Sequence, residues 1–204
     1  MVQTATTHQR ILDEALSLFA RSGYDSVTVA DIAAAVGIRA PSLYKHYPSK
    51  QAIFDAILAE MAARYEHHTA SDRIGGRPAG QSPKQVSEDD LVQLGVGLLE
   101  HFLHGEYQSR FRRMLLIEQH ANPMLAHLYA TRYIDAPLAY ATKLFSSLAF
   151  LGQVIAEDPA VMALQFHAPI LLLLTICDCH PDREAWSIAT LEAHIRQFAR
   201  LYLV

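Results

Sequence analysis

Residues 28–50 read TVADIAAAVGIRAPSLYKHYPSK, and the fold follows from how this stretch is punctuated. Val29, Ile32, Ala33 and Val36 recur at the spacing of one helical face. Thr28 stands where an N-cap belongs, with Asp31 three residues on, a capping box built with a short acid. Gly37 follows at once, where a left-handed backbone lets the chain turn sharply. Ile38 and Leu43 then pack a short second helix back onto the first. This is a helix-turn-helix layout, whose second helix can enter the major groove of DNA.

Outward from this motif the pattern stays helical. A helix is predicted over residues 7–22, with Leu12, Ala15, Leu16 and Phe19 as its buried stripe and Gly23 as its stop. The motif helices fall near 29–36 and 40–46. Ser49 can cap a fourth helix from Lys50 to about His67, lined by Ile53, Ile57, Leu58 and Met61. Residues 68–87 are rich in glycine, proline and serine and read as a mobile loop. Ser87 with Asp90 caps the next helix, which carries Leu91, Leu94, Leu98 and Phe102. Asn122-Pro123, Asp135 before Pro137, and Asp158-Pro159 mark later starts. A last helix spans roughly 183–203. No strand-like alternation breaks the series, so the fold class is all-α.

The chain has 204 residues, 51% hydrophobic and 19% charged, which argues for a sizeable core rather than disorder. A net charge of −4 argues against a protein that coats nucleic acid nonspecifically. Residues 1–50 hold five basic against four acidic side chains, while the remainder holds twelve against seventeen. Any DNA contact must therefore come from a few well-placed bases. The two cysteines, Cys177 and Cys179, fit a reducing cytosol. The N-terminus lacks an apolar signal core, and the longest apolar run, Ile170–Ile176, is broken by Thr175. A cytoplasmic protein with no membrane partner is expected. No glycine-rich phosphate loop, nucleophile elbow or HExxH is present, so no enzyme is expected.

From Ile11 to Leu58 the chain resembles the tetracycline-repressor (TetR) family of bacterial transcriptional regulators. The likeness runs through ILDEALSLFARSGYDSVTVADIAAAVGI, then SLYKHYPSK and QAIFDAIL. LYKHYPSK, at this distance after the alanine-rich helix, is its specific part. The resemblance implies an N-terminal three-helix DNA-binding domain (1–48) and a C-terminal helical ligand-binding and dimerisation domain (49–204). It also implies a homodimer on double-stranded operator DNA, most often a repressor, released by a small organic effector, with no cofactor. A helical sensor or scaffold without DNA binding is the competing class.

The candidate DNA-contact set is Arg39, Ala40, Pro41, Ser42, Tyr44, Lys45, Tyr47 and Lys50. Hydroxyl and ammonium groups suit phosphate oxygens, and arginine can read guanine bidentately. The resemblance places the Thr28, Tyr44 and Lys50 positions on the DNA backbone. The family usually has serine where Arg39 stands and a base where Ala40 stands, so operator sequence does not carry over. His46 reads as a packing residue rather than a base reader.

Phe102, Phe111, Met114, Glu118, Tyr133, Tyr140 and Phe166 are candidates for an effector pocket, with Glu118 or a tyrosine hydroxyl giving orientation. Each is also a plausible core residue. Val161–Ile176 is apolar nearly all round and holds Leu171, while Ile188, Leu191, Ile195, Phe198 and Tyr202 make an a/d-type seam in the last helix. These two helices are expected to pair with their copies in a dimer. Cys177, Cys179 and His180 match no metal-ligand framework, and no metal is expected.

Overall fold

The computed structural model describes residues 6–71 and 85–204. Among them the architecture is all-α, with one isolated antiparallel bridge between Val154 and Leu203. The chain forms two compact units. One comprises Met1–Gln81 and Arg110–Ala126; the other comprises Ser82–Ser109 and His127–Val204.

The first unit is built from α1 (Thr7–Ser22), α2 (Val29–Val36), α3 (Ala40–Leu43), α4 (Lys50–Ser71) and most of α6 (Glu106–Glu118). Thr6 caps α1 by accepting the Gln9 N–H, and Gly23 ends it at φ +78°. The Thr28–Asp31 capping box is formed in full, and Gly37 turns the chain at φ +76°, ψ +32°. The recognition helix is shorter than the pattern predicts. α3 ends at Leu43 and hydrogen-bonded turns carry the chain on to Tyr47. Ile11, Leu16, Phe19, Ile32, Leu43, Ile53, Ile57 and Met61 are fully buried where α2 and α4 pack on α1. α4 runs to Ser71, so residues 68–71 are helical rather than loop. Residues 72–84 of the expected mobile loop lie outside the described residues.

The second unit holds α5 (Glu88–His104), α8 (Ala136–Phe150), α9 (Pro159–Cys179) and α10 (Glu184–Tyr202), packed α5 on α9 and α10, and α9 on α8 and α10. Ser87 and Asp90 form the second capping box. Gly95 lets α10 come close: a Cβ there would lie 2.2 Å from Ile195 Cδ1. Arg196 joins α10 to the start of α5 through Glu88 (2.7 Å) and Asp89 (3.0 Å).

The last-helix seam is satisfied inside this unit. Leu191 and Ile195 are fully buried, and Phe198 stacks among Phe145, Phe166 and Tyr202. The Tyr202 hydroxyl donates to Gln165 Oε1, while Ile188 and Leu171 are half-buried. The period is right, but the partners are α5, α8 and α9 of the same chain rather than a second copy. The outward stripes are different residues: Val161, Leu164, Ala168 and Leu172 on α9, and Trp186, Ala189, Ala193, Gln197 and Leu201 on α10. By length and composition alone α9 is also long and apolar enough to cross a membrane, although its apolar run is broken. Its inner face, from Met162 to Cys177, is core of this unit.

Asp135 directly precedes α8, as expected, but its backbone is already helical and its side chain makes no cap bond. α7 (Pro123–Ala130) continues into α8 through a π-helical segment, Thr131–Asp135. Pro137 has no N–H to give the Tyr133 carbonyl one turn back. That carbonyl accepts instead from His167 Nε2 on α9, at 3.0 Å. The same device recurs inside α9. Pro169 has no N–H for the Gln165 carbonyl, which accepts from His194 Nε2 at 3.1 Å. Each imidazole replaces a donor that a proline removed.

His167→Leu should therefore cost about 1–3 kcal/mol, because it strands a buried carbonyl. Pro137→Ala supplies an N–H at the same place, so the double variant should lose less than the sum of the singles in urea denaturation. Additive losses would refute the exchange of donors. Burial holds His167 below the ordinary imidazole pKa, with the Tyr133 hydrogen bond pulling weakly the other way. A depressed folded pKa adds stability above the unfolded value and loses it as pH falls. Wild type should thus weaken below about pH 6.5, and His167→Leu should lack that component.

Candidate nucleic-acid interface

Leu43 anchors the recognition helix, and the side chains around it divide by direction. Arg39, Pro41, Tyr44 and Lys45 are exposed, while Ala40 and Ser42 are half-buried. Tyr44 is 52% exposed, high for an aromatic ring in a small domain. Arg39 occupies the N-cap position at φ −82°, ψ +144° and makes no side-chain cap bond, so its guanidinium is not spent on the helix start. Thr28 sits at the other motif helix start, its hydroxyl bonded to Asp31 Oδ2 at 2.6 Å. That bond, with the Thr28 N–H, draws the Asp31 pKa below the usual carboxylate range.

Two expected contacts fall elsewhere. Tyr47 is only 6% exposed and packs against the His8 ring, sharing a 2.5 Å hydrogen bond with His8 Nδ1. Burial, with the nearby Glu60 charge, raises its pKa. It is core, because the turn after Leu43 rotates position 47 inward. Lys50 is half-buried, and its ammonium donates to the carbonyls of Tyr24 (2.7 Å) and Val27 (2.9 Å). His46, read as packing, is exposed and touches the His8 ring edge-on at 5.9 Å.

The unit is also held from α6. Glu118 Oε1 accepts the Tyr24 N–H at 2.7 Å, and Arg110 donates to the Asp13 carbonyl and Ser17 Oγ on α1. A side chain at position 23 would crowd Glu118 and Ile117 at 3.3 Å. Arg10 donates to the Val36 carbonyl at 2.6 Å and so holds the end of α2. None of these pairings has a local signature in the sequence; they span 26 to 97 residues.

The seven effector candidates do not form one group. Phe111, Met114 and Glu118 belong to the first unit, where the two apolar side chains are fully buried and Glu118 is engaged with Tyr24. Phe102, Tyr133, Tyr140 and Phe166 belong to the second. There Phe102, Tyr133 and Tyr129 stack in series at 5.3 and 5.2 Å, Phe166 joins Phe145, and Tyr140 lies at the surface. Cys177 is buried and Cys179 exposed, and no group of three metal-binding side chains occurs among the described residues.

The profile of the family described as "Bacterial regulatory proteins, tetR family" matches residues 11–57. That match is confined to the head, which is similar to the DNA-binding head of the tetR family. The head is 46% identical over 46 residues to the biofilm operon icaADBC negative transcriptional regulator IcaR of Staphylococcus aureus. That match covers 22% of this chain and a quarter (25%) of IcaR. The full fold is shared with a transcriptional regulator from Saccharomonospora viridis solved in complex with choline, at TM-score 0.65 and 24% identity, with 95% of each chain covered. It is shared as well with SmeT, the repressor of the Stenotrophomonas maltophilia efflux pump SmeDEF, solved with triclosan. The triclosan complex has TM-score 0.63 and 18% identity, with 97% of this chain and 92% of that one covered. At these identities both structural likenesses are of fold alone.

Proposed function

We propose that the protein is a ligand-responsive transcriptional regulator, most simply a repressor, that binds operator DNA as a homodimer in the cytoplasm. The observation that carries this is the tetR-like head itself: a capped α2, a left-handed Gly37 and a Leu43-anchored α3 that turns Arg39, Tyr44 and Lys45 outward. Two such heads suit half-sites about 34–36 Å apart, one turn of DNA. Pairing the heads needs a dimer, and the Leu164–Leu172 and Trp186–Leu201 stripes supply the exposed apolar faces. The Phe102–Tyr129–Tyr133 stack beside the π-helical segment is the favoured effector site, since such segments cluster at functional sites. A small apolar or amphipathic organic molecule fits it, in keeping with the choline and triclosan bound by the two relatives of like fold. On this reading the protein binds its effector rather than turning it over.

Selection of bound duplexes from random DNA tests the proposal. Recovery of a palindromic sequence is expected; recovery of none would leave a helical sensor or scaffold. On the selected duplex, Lys45→Ala should reduce the salt slope by about one unit for each head engaged. Tyr44→Phe should weaken all sequences alike, and Arg39→Ala should relax preference at one base pair. Unchanged binding in all three variants would remove this face.

A further inference from the structure

We infer that Lys50 is a positioning residue of the reading head, and that it holds the α1–α2 turn rather than a DNA phosphate. The inference rests on the DNA-binding reading above and concerns how the head is preset. Lys50 opens α4, whose first turn is capped by Ser49 Oγ accepting the Ala52 N–H. Its Nζ donates to two carbonyls of the segment joining α1 to α2, Tyr24 at 2.7 Å and Val27 at 2.9 Å. It also lies 4.1 Å from the centre of the Tyr24 ring. An ammonium has three donors. Here two are directed at carbonyls, and the cation–π contact occupies a further side.

The turn it grips is held on its other side too. The Tyr24 N–H donates to Glu118, and the Tyr24 hydroxyl donates to Gln51 Oε1 at 2.9 Å. Both polar ends of one residue are thus tied down, its N–H to α6 and its carbonyl to α4. Val27, the second carbonyl, immediately precedes the Thr28 cap. Lys50 therefore sets where α2 begins, and α2 carries α3. A phosphate could recruit Lys50 only by drawing it from two carbonyls and a ring, whereas the exposed Lys45 makes no such contacts among the described residues.

The test compares Lys50→Met with Lys45→Met by salt titration on a duplex selected from random DNA and on an unrelated duplex of equal length. Lys50→Met should weaken the selected duplex roughly tenfold at every salt concentration. Its slope should match wild type, because no counterion release is lost. Lys45→Met should flatten the slope on both duplexes. Amide exchange of the free protein gives a second readout. Lys50→Met should speed exchange near Thr28–Asp31 without any DNA, which a phosphate contact would not. Should Lys50→Met fail to fold, Lys50→Gln, which keeps a neutral donor, takes its place. A slope reduced as in Lys45→Met, or unaltered exchange, overturns the proposal. Wild type binding no duplex at all would instead overturn the DNA-binding reading, and the exchange measurement would still stand.

Discussion

Leu191→Glu should unfold the second unit, whereas Leu172→Glu should leave it folded, soluble and monomeric. Leu191 is fully buried between α10 and its neighbours in the same chain. A carboxylate there would be taken out of water and costs several kcal/mol before any change in assembly. Phe198→Glu should behave likewise, because its ring sits among Phe145, Phe166 and Tyr202. Leu172 is 62% exposed on the outward stripe of α9, so a charge there stays in water within one protomer. In a dimer it would be buried against a second copy. Circular dichroism and sedimentation separate the two effects. Leu172→Glu should keep its helical signal, sediment as a monomer and bind the selected duplex at least a hundredfold more weakly, about 2.8 kcal/mol. A Leu172→Glu protein that remains dimeric would place the interface elsewhere, and a wild type monomeric at micromolar concentration would remove it.

Leu43→Ala should cost about 2–5 kcal/mol and abolish specific DNA binding with little change in the second unit. Leu43 is the one buried residue of a four-residue helix. Such a helix is far too short to persist alone, so the tertiary contact holds it. Removing that side chain leaves a cavity under α3 and frees Arg39, Tyr44 and Lys45 to move together. Chemical shifts of the first unit should change while those of α8–α10 stay put. Full operator affinity in a folded Leu43→Ala protein would mean that the recognition helix is held by something other than this contact.

Local patterns determined much of this protein. The two capping boxes, the glycine stops at 23 and 37, and the apolar faces of α1 and α2 depend on neighbours three or four residues away, and all formed as the spacing implied. The family match over residues 11–57 rests on the same local pattern.

What tertiary structure decided was direction. The α10 seam has a helical period whether it meets a second copy or α5, and the burial of Leu191, Ile195 and Phe198 within one chain, with Gly95 opposite Ile195, shows that this part of it closes on the chain itself. Asp135-Pro137 reads as a helix start because a proline normally lacks a substitute donor. His167, 30 residues further along, supplies one, and the helix runs through. Tyr47, Lys50 and Glu118 carry polar groups suited to phosphate or ligand, yet each is engaged within the head. A side chain's chemistry is written in the sequence. Its partner is set by contacts between residues far apart along the chain, which exist only once the helices have packed.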